Sequence, residues 1–185
     1  MAPLLVTFVG GQSGRWSVDR VVGVKGPSLQ PVARVAILEG SNDVAITREA
    51  SWVLRGVTGH DLYATSRERK ALTALSAPLG RGSSTAAALI PIRKSAAWWV
   101  LPQDERRAIF EERSRHIAGS LPYLPRIARR LHHARDLGEP FDFLTWFEFA
   151  AGDAAAFDEL CGMLRATEEW SYVEREVEIR LTRAG

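Results

Sequence analysis

The sequence contains a single cysteine, Cys161, among 185 residues. One cysteine cannot form an intrachain disulfide, so nothing in the fold requires an oxidising compartment. No apolar run approaches the roughly 20 residues of a membrane-spanning helix. The apolar start also lacks the basic region of a secretory signal. We therefore expect a cytoplasmic protein without a membrane partner.

Neither sign of charge dominates, because 24 Lys and Arg stand against 22 Asp and Glu. The two signs are interleaved, as in the acidic and basic pairs of 104–107. A nucleic-acid-binding protein usually gathers its basic residues on one stripe, so the pattern predicts no nucleic-acid partner. The 46% hydrophobic content is enough to form the core of one or two compact units.

The first part of the chain has the pattern of β-strands. Short β-rich runs are separated by Gly, Pro and Ser, and they lie at Leu4–Val9, Trp16–Val22, Val32–Leu38 and Ser51–Val57. Thr65 and Glu68 then have the spacing of a capping box, which predicts a helix from there to about Leu75. The Gly-, Ser- and Pro-rich stretch 76–84 is the best candidate for a linker.

The second part predicts the order β-α-β-β-α-β. Pro102 suits the first position of a helix that runs to about Ala118 and stops at Gly119. A second helix is expected at Asp153–Ala166. The strands are expected at Thr85–Ile92, Arg126–Ala134, Phe141–Phe149 and along the alternating Val173, Val177, Ile179 and Leu181. This order is the ferredoxin-like α+β motif, so we divide the chain into a shortened, related half at 1–82 and a ferredoxin-like half at 83–185.

His116 is the first candidate for chemistry. It lies seven residues after Ile109, on the apolar stripe of the predicted helix. A core histidine bonded to a carbonyl explains this position, and so does a proximal ligand of haem, which needs a neutral imidazole on an apolar face. His132 and His133 are weaker candidates, because neighbours in a strand face opposite ways.

Arg129 is the second candidate. In the predicted strand it shares a face with Leu131 and His133, and the next strand presents a row of aromatic residues on one face. If the two faces coincide, Arg129 enters an apolar space, where a guanidinium needs an anionic partner. An edge-strand arginine that faces water explains the same pattern equally well.

Carboxylate, aromatic and basic residues elsewhere in the sequence are candidates for contacts with a haem bound by His116. A carboxylate that accepts the second N–H of a haem histidine strengthens that ligand. Spacing alone does not distinguish Glu168 from Glu169 for this role, and a solvated pair is the default interpretation of both. The adjacent Trp98 and Trp99 suit a buried core or a porphyrin edge. The candidates for binding haem propionates are Lys94, Tyr63 and Arg93.

Five segments, taken together and in this order, resemble the chlorite dismutase family. They are ALIPIRKSAAWW at 88–99, DERRAIFEERSRH at 104–116, LPYLPRIARRL at 121–131, FDFLTWFE at 141–148 and TEEWSYVER at 167–175. The similarity extends over nearly the whole chain. It is greatest to the compact, dimeric, cytoplasmic branch of the family, in which the N-terminal half is shortened.

The resemblance implies a haem b oxidoreductase that converts chlorite into chloride and dioxygen with formation of an O–O bond. It implies that His116 binds the iron and that Glu169 forms a hydrogen bond with His116. It also implies that Arg129 is the catalytic residue on the other face of the haem. It also implies a homodimer of the dimeric α/β barrel type. The remaining residues that it places around the haem are Leu131, Thr145, Phe147, Trp98, Trp99, Tyr63 and Lys94.

Three alternatives stay open at this point. A coprohaem decarboxylase of the same superfamily would use the same histidine, although decarboxylating members generally lack the arginine matched by Arg129. A non-enzymatic haem-binding protein would bind haem without releasing oxygen. A ferredoxin-like binding module would bind no haem and would keep His116 as a core residue.

Overall fold

The computed structural model describes residues 3–40, 47–59 and 63–184. Eight strands in this part of the chain close into one antiparallel barrel. The strands are β1 (Leu5–Gly11), β2 (Trp16–Lys25), β3 (Arg34–Glu39), β4 (Trp52–Thr58), β5 (Ala86–Lys94), β6 (Ala128–His133), β7 (Phe143–Phe149) and β8 (Val173–Arg183). All the predicted strands are present, with ends that shift by a few residues.

The helices lie between these strands. The α-helices are α1 (Ser66–Leu75), α2 (Ala96–Val100), α3 (Gln103–Arg107), α4 (His116–Ser120), α5 (Ala154–Arg165) and α6 (Glu168–Ser171). A π-helical turn spans Ala108–Arg113, and 3-10 turns span Leu121–Tyr123, Arg135–Leu137 and Ala151–Asp153. No helix within the three described ranges is long and apolar enough to cross a membrane.

The barrel is built from two sets of four strands. Around the ring the order is β4-β1-β3-β2 followed by β8-β5-β7-β6, and the β2–β8 and β4–β6 pairs join the sets. Because the strands pair at both joins and close the barrel, the two halves share a single barrel interior. Phe8, Leu54, Leu89, Leu144 and Trp146 are among the apolar side chains that fill it.

The N-terminal set connects β1 to β2 without an intervening helix. Val35 in β3 pairs with Gly10 on one side and with Trp16 on the other. The chain therefore passes directly across the end of β3. Gly14 makes this crossing possible: its φ is +142°, and a Cβ there would lie 2.3 Å from the Val35 backbone.

The capping box predicted at α1 is confirmed. The Thr65 hydroxyl accepts a hydrogen bond from the Glu68 N–H at 3.3 Å, and the Glu68 carboxylate accepts one from the Thr65 N–H at 2.7 Å. The helix ends at Leu75, as the sequence predicts.

The continuous helix predicted from Pro102 to Ala118 is wrong. Pro102 precedes the first helical residue, and the chain passes from α3 through the π-helical turn to Arg115, which has a left-handed backbone with φ 52° and ψ 38°. His116 begins a new helix there, and Gly119 lies inside that helix rather than at its stop. The 3.6-residue periodicity of the sequence does not indicate the extra residue per turn of the π-helical segment or the left-handed backbone at Arg115.

Charged residues also stabilise the outer surface of β8. The Glu178 carboxylate accepts hydrogen bonds from Arg20 at 2.6 Å, Arg165 at 2.7 Å and Arg180 at 2.8 Å. Burial alone would raise the pKa of Glu178, but the three guanidinium groups outweigh it and lower the pKa to about 2.

This pKa gives folding a defined pH dependence. Because the folded-state pKa lies below the reference value of 4.5, Glu178 stabilises the protein above pH 4.5, and this stabilisation is lost as the pH falls towards 2. A shift of this size corresponds to roughly 3 kcal/mol. We expect Glu178→Gln to lower the free energy of unfolding at pH 7 and to flatten its decline between pH 4.5 and 2, measured by urea unfolding. The matched control is Glu174→Gln, at an exposed position on the same strand, and an equal slope in both variants would contradict the assignment.

Candidate functional site

A large pocket lies outside the barrel, between the β5–β7–β6 surface and the helices. It encloses about 1210 Å³ of empty space, a value that includes open solvent at its mouth. Its walls are mainly apolar. The residues predicted from the sequence that line it are Tyr63, Lys94, Trp98, His116, Arg129, Leu131, Thr145, Phe147 and Glu169.

The sheet forms one wall of this pocket. Arg129 pairs with Phe147, Leu131 with Thr145, and His133 with Phe143. Because paired residues in antiparallel strands share a face, Arg129 and the aromatic row lie on the same side, as the alternation in the sequence suggested. The predicted strand face is thus a wall of the pocket, and Arg129 lines it.

The helical segments form the opposite wall and carry His116. The Nδ1 atom of His116 lies 2.6 Å from Oε2 of Glu169. An ionised carboxylate can only accept a hydrogen bond, so Nδ1 carries the hydrogen. In the neutral ring, Nε2 then has the lone pair that can bind a metal. Spacing alone did not separate Glu168 from Glu169, whereas the structure places Glu169 on His116.

A second charge holds Glu169 in place. Lys94 Nζ lies 2.7 Å from Oε1 of Glu169, and both side chains are buried. Burial would raise the pKa of Glu169, but His116 and Lys94 hold it well below its usual range. Burial also lowers the pKa of Lys94, against the attraction of Glu169. The predicted propionate partner Lys94 is therefore engaged with the carboxylate behind the histidine.

The adjacent tryptophans have different surroundings. Trp98 is 1% exposed and lines the pocket, with its ring edge-on to Tyr63 at 6.0 Å. Trp99 is not among the lining residues. It stacks on Phe143 at 6.1 Å, and its indole N–H donates to Asp142 at 3.3 Å. The roles that the sequence assigned to both residues stay predictions.

Sequence reasoning missed one residue that contacts His116. The Phe110 ring stacks on the His116 ring, with centroids 4.3 Å apart and planes 22° from parallel. His133 lines the pocket from the same strand face as Arg129. Alternation in the sequence already places His133 on that face, whereas Phe110 could not be found from a helix assumed to be regular.

The fold and the pocket together define a mixed α/β barrel protein whose pocket is lined by a histidine–carboxylate pair and by an arginine of the sheet. Comparison with known proteins identifies it further. The model of the family described as chlorite dismutase matches residues 31–184. The chain belongs to the chlorite dismutase family.

Solved structures and curated relatives agree with this assignment. The crystal structure of dimeric chlorite dismutases from Nitrobacter winogradskyi is 57% identical, with a TM-score of 0.90, and the match covers 97% of this chain and 99% of that one. A chlorite dismutase from Ideonella dechloratans is 35% identical over 84 residues, which is 45% of this chain and 27% of that protein's length. A mutant chlorite dismutase from Candidatus Nitrospira defluvii in complex with cyanide shares the fold, at 19% identity and a TM-score of 0.71, with coverage of 98% and 91%.

Proposed function

We propose that this protein is a haem b enzyme that converts one chlorite ion into chloride and dioxygen. The observation that carries the proposal is a single pocket with a carboxylate-bonded histidine on one wall and Arg129 on the other. Membership of the family and the 57% identity to a chlorite dismutase support this substrate.

The residues present fit a haem. His116 offers one nitrogen to a metal, and the apolar walls suit the faces of a porphyrin. Two buried nitrogens on the lining, Trp98 Nε1 and His133 Nε2, have no hydrogen-bond partner among the described residues. Such groups suit the polar edge of a cofactor, since a buried polar atom without a partner is costly. Haem b bound there would supply a redox-active iron for oxygen transfer from chlorite.

Each pocket residue then has a separate task. His116 would bind the iron through Nε2, while Glu169 accepts the Nδ1 hydrogen and increases the basicity of the ring. Lys94 keeps Glu169 ionised at neutral pH. Trp98 and Tyr63, whose rings are in contact, would exclude water from their part of the pocket. Trp99 would support the pocket wall by stacking on Phe143.

Arg129 acts on the substrate. A guanidinium attracts a small anion and orients it through paired N–H donors. It would orient chlorite in the pocket and hold the chlorine-containing fragment there until dioxygen is formed, which is a proximity effect. The two oxygen atoms of chlorite leave as dioxygen, and its chlorine leaves as chloride. Leu131, Thr145 and Phe147 would limit the space in which the fragment can move.

We also propose the finer architecture that the sequence indicated. The strand order within each half supports two ferredoxin-like units, a shortened one at 1–82 and a cofactor-binding one at 83–185. The dimeric relative from Nitrobacter winogradskyi supports a homodimer. The cytoplasmic location stays a prediction.

The test is oxygen evolution from chlorite. Purified protein is reconstituted with haem b, and chlorite is added in an oxygen-electrode cell. We expect one dioxygen per chlorite. A haem spectrum without oxygen would favour the coprohaem decarboxylase, which a coprohaem-plus-peroxide assay detects, or a haem-binding protein without activity. Failure to bind haem would overturn the proposal.

A further inference from the structure

The helical conformation is interrupted immediately before His116. Arg115 has a left-handed backbone, an unusual conformation for a residue other than glycine, and α4 begins directly after it. The first N–H groups of a helix have no partner within the helix and are usually capped by a nearby side chain. The Arg115 side chain provides no such cap.

Glu111 provides the cap from outside the helix. Its carboxylate accepts hydrogen bonds from the N–H groups of Ile117 at 2.6 Å and Ala118 at 3.0 Å. Its backbone carbonyl also accepts the Arg115 N–H at 2.9 Å. Glu111 is only 8% exposed, so water cannot easily replace these contacts. A negative charge also suits the N-terminal end of a helix.

Residues next to Glu111 in the π-helical turn and just after it contact His116 and Glu169. Phe110 packs on the face of the His116 ring, and the Ser114 hydroxyl accepts the Glu169 N–H at 2.9 Å. One short segment therefore contacts both members of the histidine–carboxylate pair and the backbone that follows the histidine.

We propose that Glu111 is a positioning residue for His116, because its carboxylate fixes the start of α4 and thereby aligns the imidazole with Glu169 and with the pocket. The consequence for iron binding rests on the proposed function, whereas the position of the ring does not. Glu111 is not among the described residues that line the pocket, so in this proposal it acts through His116.

The experiment compares Glu111→Gln and Glu111→Ala with the matched control Glu112→Gln, at the exposed neighbouring position. Glu111→Gln keeps the size and one carbonyl oxygen, so it remains informative if Glu111→Ala does not fold. The first readout is the NMR shift of the His116 ring protons in purified protein before haem is added, because the stacked Phe110 ring moves them upfield. The second is the iron–histidine stretching frequency of the ferrous haem form, together with the rate of haem loss to a scavenger.

For Glu111→Gln we expect a changed His116 ring shift, a shifted or broadened iron–histidine band and haem loss about 10-fold faster, in the range found when residues that orient a metal ligand are changed. The control should match the wild type in all three. Unchanged ring shift and iron–histidine band in Glu111→Gln, even with lower stability, would overturn the proposal. Wild-type protein that binds no haem would overturn the proposed function, and the ring shift would still decide the role of Glu111.

Discussion

Replacement of His116 by alanine is expected to abolish stable haem b binding. His116 is the histidine that faces the pocket from the helical wall, and its bond to Glu169 fixes which nitrogen is available to a metal. Changes to residues that only support a metal ligand weaken binding by about 10–100-fold, so loss of the ligand itself should exceed that range. Titration of the variant with haem b, followed by absorbance, measures the dissociation constant.

Rescue with free imidazole provides the control for this prediction. His116→Gly leaves space beside Phe110 and Glu169 for an added imidazole, which should restore the haem spectrum without restoring the covalent link to α4. Restoration would show that the variant is folded and lacks only the ligand. A wild-type spectrum in His116→Ala without imidazole would instead identify another ligand, and His133 is the other histidine that lines the pocket in the described part of the chain.

The sequence predicted the sheet side of the site better than the helical side. Alternation along a strand depends on backbone geometry alone, so the sequence predicts that Arg129 and Leu131 share a face. Only the structure shows that this face lies on the same side of the sheet as Phe147. The register of β6 against β7 confirms that match. His116 reaches the same pocket for a different reason. The regular helix that placed it there does not exist. Phe110, which stacks on its ring, and Glu111, which accepts from the N–H of Ile117, lie in an irregular turn.

The features of the site and of the barrel that could not be predicted depend on contacts between residues distant in sequence. Glu169 lies 53 residues from His116, and Lys94 lies 75 residues from Glu169. Nothing local distinguishes Glu169 from Glu168, since the difference arises from the packing of α6 against the π-helical turn. Closure of the barrel likewise depends on the pairing of β2 with β8 at opposite ends of the chain. The family resemblance implied a barrel, which the local patterns alone did not.

Replacement of Arg129 by alanine is expected to preserve haem binding and to impair the reaction. A hydrogen bond to a charged group contributes about 1.5–3 kcal/mol, so loss of the guanidinium should lower the rate of oxygen release by about 10-fold or more. The larger consequence should be escape of hypochlorite, because Leu131, Thr145 and Phe147 can confine the fragment but cannot bind its charge. Escaped hypochlorite should chlorinate an added trap and bleach the haem after fewer turnovers.

Arg130→Ala is the matched control, because it removes the same side chain one residue further along β6. Arg130 faces away from the pocket and pairs with Glu39 at 2.5 Å, so this variant should release oxygen at the wild-type rate without hypochlorite. A different result for the two neighbours would assign the effect to the pocket face rather than to the net charge of the strand. If Arg129→Ala keeps the wild-type rate and the wild-type number of turnovers before bleaching, Arg129 does not retain the fragment. The apolar walls would then be sufficient for O–O bond formation.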